Sequence, residues 1–426
     1  METFLLLGTF VILLILRVPI ALTLIVASLA TGLYMNIDLA TLIQQMVEGL
    51  NSFTLLAIPF FILAGEIMNE GGISRRLINF ANVIIGWLRG GLAMVNVLAS
   101  TFFGGISGSA LADTSSVGSV MIPMMKKQGY DSDYAVSVTV SSSAQGVMIP
   151  PSHNMIIFST AAGGVSIGSL FMGGLLPGLL LGIALLIITY MLARKRNYPK
   201  GQPVDKKDIP RILGEGILGL LTIVIIMGGI LSGYFTVTES AAIGALYAFI
   251  ITFFVYRDIK LTKMGIILKN TFKTLSMVLF LIGTSSAFGY LLTLLRIPAL
   301  VADTLINISP NSAITILMIV VILLLLGMIM DMAPLIVIAT PILLPVAIDV
   351  GMDPVHFGVL LILCLAVGLI TPPVGTVLFV GSAIGKLPIE KTSKGLLPFY
   401  AVMIVMVFLV AYIPSLSLYF PNVFVE

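Results

Sequence analysis

The sequence predicts an all-α polytopic membrane protein that consists of two inverted repeats with broken helices. The composition supports the membrane class, because 58% of the 426 residues are hydrophobic and only 10% are charged, whereas a soluble domain is about 25% charged. The apolar residues form continuous runs, which favours helices over a β-barrel. An internal repeat supports the division into two inverted halves. The composition excludes a soluble enzyme, and a net charge of +3 excludes a nucleic-acid-binding protein.

Ten apolar runs are candidates for membrane spans, and two further regions are apolar but interrupted near the middle. The interruptions lie at Ser107–Ser116 within 90–127 and at Asp331–Pro334 within 311–350. If either region crossed the bilayer once, its polar centre would lie unsatisfied in hydrocarbon, so we predict re-entrant hairpins buried in protein. The ten runs are 3–16, 19–34, 53–69, 132–162, 168–193, 217–235, 240–256, 274–295, 354–384 and 396–418.

The lysine and arginine residues predict how the chain is oriented in the membrane. Nearly all of them fall into four groups, and when all four groups are placed in the cytoplasm the ten spans alternate without conflict. Both termini then lie outside the cytoplasm. The segments 38–50 and 73–88 are less apolar, and we expect them to lie along the membrane interface. The four groups fall within 75–127, 194–211, 257–273 and 386–394.

Two segments of the chain align without a gap at an offset of 222 residues, the separation of Gly146 from Gly368. At this offset the pair Pro150-Pro151 aligns with Pro372-Pro373, and Gly105 aligns with Gly327 just before each hairpin turn. Each half then contains five spans and one hairpin. Because five crossings are an odd number, the second half must enter the membrane inverted. The predicted divisions are 1–193 for the first repeat, 194–216 for a cytoplasmic linker and 217–426 for the second repeat.

Inverted repeats with broken helices are typical of secondary transporters, whose substrate and ions bind near the bilayer midplane between the repeats. The alternative is that duplication only built a large scaffold. An ion channel would need a continuous polar path, whereas the polar residues here cluster at two hairpin tips. An intramembrane enzyme is disfavoured because the two histidines, His153 and His356, lack the spacing of a zinc site. We expect no ATP binding, because 381–386 lacks the spacing of a P-loop.

The two Pro-Pro pairs predict local unwinding of two membrane helices, because each proline lacks an N–H and clashes with the carbonyl four residues earlier. Carbonyl oxygens freed at membrane depth need a partner, and a monovalent cation such as Na⁺ is suitable. Hydroxyls at the first hairpin tip would add further oxygens. The alternative is a simple kink that neighbouring side chains or water satisfy. The candidate oxygens are the carbonyls of Gly146, Ile149, Gly368 and Thr371 and the hydroxyls of Ser107 and Ser109.

Hydroxyl and amide side chains near the hairpin turn and the breaks are candidates for substrate binding, because helix N-termini attract anions. We expect Ser115 and Ser116 to cap the second arm of the first hairpin and to face the substrate. Ser152 and Asn154 follow the first break, and Thr376 aligns with Asn154. The alternative for these residues is ordinary capping and close helix packing.

Two aspartates lie near membrane depth and are therefore functional candidates. They are Asp113 and Asp331, which do not align with each other, because Asp331 aligns with Ser109. Asp113 has a plain alternative as a helix cap. Thr238 and Glu239 are best explained as the cap and first turn of a helix.

The chain resembles the large membrane subunit (DctM-like) of tripartite ATP-independent periplasmic (TRAP) transporters over essentially its full length. The segments that carry the resemblance are Ile58–Gly65, Ser107–Ser109, the two Pro-Pro pairs and Thr236–Ala242. The resemblance implies an elevator-type secondary transporter of the bacterial inner membrane, driven by Na⁺, with scaffold and transport domains interleaved from both repeats. It also implies two protein partners, a small four-helix membrane subunit and a periplasmic substrate-binding protein. The usual cargoes are carboxylates, including C4-dicarboxylates and sialic acid.

The resemblance also implies two Na⁺ sites. The first falls on Ser107, Ser109, Gly146, Ile149 and Pro151. A second, pseudo-symmetric site falls on Gly327, Asp331, Gly368, Thr371 and Pro373. We therefore expect Na⁺-coupled import of a small carboxylate, with both termini in the periplasm. The alternatives are a Na⁺/carboxylate transporter that works without a binding protein, and an ion channel.

Overall fold

The computed structural model describes residues 1–16, 18–201, 203–308 and 311–425. Within these ranges the chain is helical, and the one extended pairing is an isolated bridge between Arg89 and Lys200. Seven of the described helices are long and apolar enough to cross a membrane, and six shorter ones are also apolar. The predicted all-α membrane class is confirmed.

The first five helices precede the first hairpin. α3 begins after Asp38, whose carboxylate accepts a hydrogen bond from the Ala40 N–H at 3.0 Å. A 3₁₀ turn at Phe53–Leu56 leads into α4. α3 and α5 are the two segments that the sequence predicts to lie at the interface. The helices are α1 (Glu2–Ile15), α2 (Ile20–Tyr34), α3 (Leu39–Leu50), α4 (Ala57–Glu70) and α5 (Ile73–Ile85).

The first interrupted region folds as a helical hairpin followed by a broken helix. The hairpin turns at Gly108, where a φ of 61° places the backbone in the left-handed region that glycine adopts without strain. The helix that follows is interrupted between residues 146 and 153, around the first Pro-Pro pair. The helices are α6 (Gly91–Ser107), α7 (Ala110–Lys127), α8 (Ser132–Gly146), α9 (His153–Ala161) and α10 (Ile167–Lys195).

The second half contains a second hairpin and a second broken helix. The hairpin consists of α15 and α16, and the break lies between α17 and α18, around the second Pro-Pro pair. A π-helical turn at Ile251–Tyr256 continues α12. The helices are α11 (Ile209–Leu231), α12 (Val237–Ile250), α13 (Met264–Leu294), α14 (Ile297–Ile308), α15 (Ser312–Gly327), α16 (Met332–Asp349), α17 (Pro354–Gly368), α18 (Thr376–Gly385), α19 (Ile389–Tyr412) and α20 (Ser415–Phe424).

The helices of the two halves match in position at the offset that relates the Pro-Pro pairs. α7 and α16 begin and end at aligned residues, and so do α8 and α17. The packing between the halves is reciprocal, because α7 packs against α18 while α16 packs against α9. The second arm of each hairpin therefore contacts the helix that follows the break of the other half.

The start of α12 is fixed by a capping box. Thr236, rather than the expected Thr238, is the N-cap residue, and its hydroxyl accepts a hydrogen bond from the Glu239 N–H at 3.2 Å. The Glu239 carboxylate in turn accepts a hydrogen bond from the Thr236 N–H at 2.8 Å. Thr238 instead donates to the carbonyl of Phe53 at 3.3 Å, which ties α12 to the turn before α4.

Removal of this cap gives a measurable loss of stability. We expect Thr236→Ala to lower the free energy of unfolding by about 1 kcal/mol, because the Glu239 N–H loses its acceptor. The measurement is thermal denaturation of the purified protein in detergent. Thr236→Ser, which keeps the hydroxyl, is the control and should unfold like the wild type. Equal losses for both variants would show that the methyl group, not the cap, is responsible.

A polar cluster outside the membrane-spanning segments fixes the start of α8 against the end of α10. The guanidinium of Arg196 lies 3.1 Å from the carboxylates of both Asp131 and Asp133. The Tyr198 hydroxyl donates to Asp131 at 2.7 Å. This hydrogen bond and the nearby guanidinium lower the pKa of Asp131, while burial raises the pKa of Tyr198 to about 12. The cluster therefore ties the start of α8, the first part of the broken helix, to the end of α10.

Candidate substrate and ion site

A cavity of about 260 Å³ lies where the two hairpin tips meet the two broken helices. One wall comes from α13, which belongs to neither hairpin. The cavity therefore has contributions from both halves, as the repeat predicts for a binding site. Its lining residues are Ser109, Ala110, Leu111, Val147, His153, Asn154, Thr274, Met277, Val278, Asp331, Met332, Ala333 and Leu369.

The first hairpin tip is held against the first break by direct contacts. The side-chain amide of Asn154 donates to the carbonyl of Gly108 at 3.3 Å. A Cβ on Gly108 would lie 3.1 Å from the His153 ring and 3.2 Å from the Ser152 Cα, so the tip and the break are in close contact. Ser109 caps α7, and its hydroxyl accepts a hydrogen bond from the Ala112 N–H at 3.3 Å. Ser107 accepts a hydrogen bond from the Ser109 N–H at 3.4 Å.

The second hairpin tip contacts the second break in a similar way. The Thr376 hydroxyl donates to the Asp331 carboxylate at 3.4 Å. The Val374 N–H donates to the carbonyl of Met328 at 3.1 Å. Thr376 aligns with Asn154 in the repeat, so aligned residues join tip to break in both halves. The structure thus brings the predicted residues Asn154, Asp331 and Thr376 into the contacts between tips and breaks.

Paired glycines allow each hairpin to approach its broken helix at backbone distance. A Cβ on Gly104 would lie only 2.4 Å from the Cα and carbonyl oxygen of Gly146. In the second half, a Cβ on Gly368 would lie 2.4 Å from the Gly327 carbonyl carbon. Such short separations leave no room for a side chain. The predicted site residues Gly146, Gly327 and Gly368 therefore lie at the centre of these helix contacts.

The two breaks free fewer carbonyl oxygens than the sequence suggests. The Gly146 carbonyl accepts a hydrogen bond from the Ile149 N–H at 3.1 Å, and the Gly368 carbonyl accepts one from the Thr371 N–H at 2.9 Å. The prediction that these two glycine carbonyls lack a partner is wrong, because the chain forms a tight turn after each helix. Across the described ranges, no hydrogen bond reaches the carbonyls of Ile149 and Thr371. Those two oxygens remain available at the breaks, immediately before the pairs Pro150-Pro151 and Pro372-Pro373.

The expected capping role of Ser115 and Ser116 is wrong. α7 already begins at Ala110 with Ser109 as its cap, so both serines lie in its second turn. Ser116 hydrogen-bonds to Asn69 of α4 and, at 2.7 Å, to Ser74 of α5. Ser115 is exposed. Ser152, by contrast, is fully buried at the first break, and its hydroxyl has no hydrogen-bond partner within the described chain.

The electrostatic character of the cavity comes from helix ends rather than from basic side chains. The starts of α7, α9 and α16 all contribute lining residues, and the first N–H groups of a helix attract anionic groups. Asp331 is the one carboxylate in the described lining, and no lysine or arginine is part of it. An anion in this cavity would therefore have N–H groups and hydroxyls as its partners.

Sequence reasoning missed the contribution of α13. Thr274, Met277 and Val278 line the cavity, yet they lie in an apolar helix that carries no Gly/Pro break and no acidic residue. Their spacing of three and four residues places them on one helical face. The same spacing occurs in any packed membrane helix, so the sequence offers no signal that separates these residues from ordinary packing.

Comparison with known proteins identifies the family. The family model for the DctM component of the tripartite ATP-independent periplasmic transporters matches residues 7–416. The chain belongs to this family. The large permease of the sialic acid TRAP transporter of Vibrio cholerae is 39% identical, with 95% of each chain covered. The large permease of the C4-dicarboxylate TRAP transporter of Pseudomonas aeruginosa is 38% identical, with 89% of this chain and 88% of the relative covered.

Solved structures support the fold of this TRAP permease. The YdaH transporter of Alcanivorax borkumensis superposes with a TM-score of 0.65, covering 88% of each chain at 13% identity. MtrF of Neisseria gonorrhoeae gives a TM-score of 0.61 over 89% of this chain and 85% of its own, at 14% identity. At these identities the likeness shows the fold alone. Together with the family match, it establishes a multi-pass inner-membrane permease of the TRAP type.

Proposed function

We propose that this permease imports a small carboxylate, of the C4-dicarboxylate or sialic acid class, by coupling its movement to that of Na⁺. The observation that carries the proposal is the cavity between the two hairpin tips, the two breaks and α13. It is bounded by residues from both halves, it presents helix N-termini, and no basic side chain belongs to its described lining. Relatives named for sialic acid, C4-dicarboxylate and 2,3-diketo-L-gulonate transport support the carboxylate class.

The substrate carboxylate is held by N–H groups and hydroxyls at the helix starts. Ser109 and Asn154 lie at the edge of the cavity, on the first hairpin tip and the first break, and the second tip contributes Asp331. Ser152 and Thr376 lie beside these residues. Because the Asp331 carboxylate would repel an anionic substrate, a cation between the two carboxylates is needed to make binding favourable.

The coupling ions bind at the two contacts between tip and break. In the first half, Ser107 and Ser109 supply hydroxyl oxygens, and Ile149 just before the Pro150-Pro151 pair supplies a carbonyl with no hydrogen-bond donor in the described chain. In the second half, Asp331 and the Thr371 carbonyl just before the Pro372-Pro373 pair supply the equivalent oxygens. Carbonyl, hydroxyl and carboxylate oxygens are hard ligands that suit a hard cation. The Gly146, Gly327 and Gly368 backbones bring hairpin and helix close enough for both sides to reach one ion.

An elevator movement explains how the site reaches both faces of the membrane. The two hairpins and the two broken helices interlock across the halves and form the moving transport domain. The helices α1 to α5 and α11 to α14 form the scaffold, and α13 is the wall along which the transport domain slides. The inverted repeat allows two conformations in which the two halves exchange their roles. In one conformation the site faces outward, and in the other it faces inward.

The permease acts with two partners, a small four-helix membrane subunit and a periplasmic substrate-binding protein that delivers the carboxylate. Both termini of the permease lie in the periplasm, as the distribution of its lysines and arginines predicts. The first alternative is a Na⁺-coupled carboxylate transporter that needs no binding protein. The second is an ion channel, which the interrupted arrangement of polar residues disfavours.

Uptake measurements in liposomes test the coupling. The three-component complex should take up carboxylate only when Na⁺ is present outside, and replacement of Na⁺ by K⁺ should reduce uptake at least tenfold. We expect Ser107→Ala combined with Ser109→Ala to raise the Na⁺ concentration for half-maximal uptake about tenfold, because two ligand oxygens are lost, which corresponds to about 1.4 kcal/mol.

The matched control is Ser119→Ala, an exposed serine of α7 whose hydroxyl donates to the Ser116 carbonyl of its own helix at 2.8 Å. This variant should keep the wild-type dependence on Na⁺. Undiminished uptake in K⁺ would refute Na⁺ coupling. An unchanged Na⁺ response of the double variant would remove Ser107 and Ser109 from the ion site.

A further inference from the structure

Asp113 is buried in the first hairpin without any group that neutralises its charge. The side chain has no exposed surface, and both carboxylate oxygens lack a hydrogen-bond partner within the described chain. It does not cap α7, because Ser109 occupies that position. None of the ion pairs found among the described residues includes it. An unpaired carboxylate at this depth is strongly disfavoured unless it binds a proton or a cation.

The surroundings of Asp113 are rich in hydroxyl groups. Ser100 of α6 and Ser143 of α8 face the carboxylate, and both are fully buried. Thr114, the next residue of α7, is also fully buried, and its hydroxyl has no partner within the described chain. Three helices therefore direct oxygen atoms toward one interior position.

The hydrogen of the Ser143 hydroxyl is engaged elsewhere. It is donated to the Thr139 carbonyl of the same helix, at 2.9 Å. Because such a hydroxyl has already given its hydrogen to its own helix, it presents lone pairs to its surroundings. A carboxylate beside such a lone pair gains nothing from it, whereas a cation placed between the carboxylate and the Ser143 oxygen is attracted by both.

We propose that Asp113 forms a monovalent cation site, with Na⁺ as the ion and with Ser100, Thr114 and Ser143 as the hydroxyl ligands. This site is distinct from the one at the first hairpin tip. Asp113 lies one helical turn beyond Ser109, and Ser143 lies about one turn before Gly146, which separates the two positions by about 5 Å. The negative charge of Asp113 offsets the repulsion between two cations at this separation.

The site links parts of the transport domain that the proposed movement must keep together. An ion here joins the two arms of the first hairpin to α8. The second half also packs directly on the site, because a Cβ on Gly381 of α18 would lie 3.7 Å from the Thr114 methyl group. The choice of Na⁺ rests on the proposed coupling, whereas the need for a neutralising ion rests on the buried carboxylate alone.

Direct binding of ²²Na⁺ to the purified permease and its small subunit in nanodiscs tests the proposal. We expect the wild type to bind one more Na⁺ per chain at saturation than Asp113→Asn, which keeps the shape and removes the charge. Asp349→Asn, at the exposed end of α16, is the control and should bind as many ions as the wild type. If Asp113→Asn binds the same number as the wild type, the proposal is wrong, and Asp113 is then neutralised by a proton.

A second variant covers the case in which Asp113→Asn does not fold. Ser143→Ala keeps the carboxylate and should weaken Na⁺ binding at this site about tenfold in the same assay; unchanged affinity and stoichiometry would overturn the assignment. Failure of the proposed function is distinguishable from failure of this inference. Uptake independent of Na⁺ with ²²Na⁺ bound at Asp113 would refute the coupling only, whereas Na⁺-dependent uptake with unchanged ion stoichiometry in Asp113→Asn would refute this site only.

Discussion

Gly104→Ala should reduce carboxylate uptake more than tenfold and destabilise the permease. The added methyl group would lie 2.4 Å from the Cα and the carbonyl oxygen of Gly146. Because the obstacle is backbone rather than a flexible side chain, α6 and α8 must move apart, and overpacking of this kind costs about 1–3 kcal/mol or more. The movement also separates the first hairpin tip from the first break. We therefore expect a lower melting temperature in detergent and an uptake rate reduced more than tenfold.

The same experiment can be carried out independently in the second half of the chain. A Cβ on Gly368 would lie 2.4 Å from the Gly327 carbonyl carbon, so Gly368→Ala should have a similar effect on stability and uptake. The matched control is Gly228→Ala in α11, where a Cβ would meet no atom within 4 Å. That variant should be neutral or slightly stabilising, because alanine favours helix more than glycine does. Wild-type uptake by Gly104→Ala would contradict the close helix contact.

The hairpins and the breaks could be predicted from the sequence because a short stretch of characteristic residues marks each of them. A polar segment in the middle of an apolar region cannot remain in hydrocarbon as a single span, and this argument placed one turn within Ser107–Ser116 and the other next to Asp331, as the helix bounds show. Two adjacent prolines interrupt a helix by removing donors, and α8 and α17 both end shortly before a Pro-Pro pair. The aligned bounds of α7 and α16 agree with the repeat read from the sequence.

The details of the site could not be predicted because tertiary contacts decide them. Several serines near the hairpin turn are suitable caps, and the turn at Gly108 selects Ser109 rather than Ser115 or Ser116. Whether a carbonyl remains free after a break depends on the next turn of the chain, which engages Gly146 but leaves Ile149. Likewise, the burial of Asp113 without a partner results from the packing of three helices, whereas the sequence shows only an aspartate near a helix start.

Asp331→Asn should separate ion binding from folding at the second hairpin tip. Asp331 lies at the N-cap position of α16, where asparagine and aspartate stabilise a helix almost equally. The substitution should therefore change the melting temperature little. It removes the carboxylate from the cavity, and a contact between a charged group and its partner is worth about 1.5–3 kcal/mol. We expect the Na⁺ concentration for half-maximal uptake to rise at least tenfold.

Two further variants distinguish the carboxylate charge from its hydrogen bond. Thr376→Val removes the hydroxyl that donates to Asp331 at 3.4 Å but keeps the charge, so the Na⁺ dependence should shift much less than in Asp331→Asn. Asp331→Glu keeps the charge on a longer side chain and should retain part of the Na⁺ response. If Asp331→Asn and the wild type respond to Na⁺ alike, the second tip does not bind the coupling ion, and the first tip alone must account for the coupling.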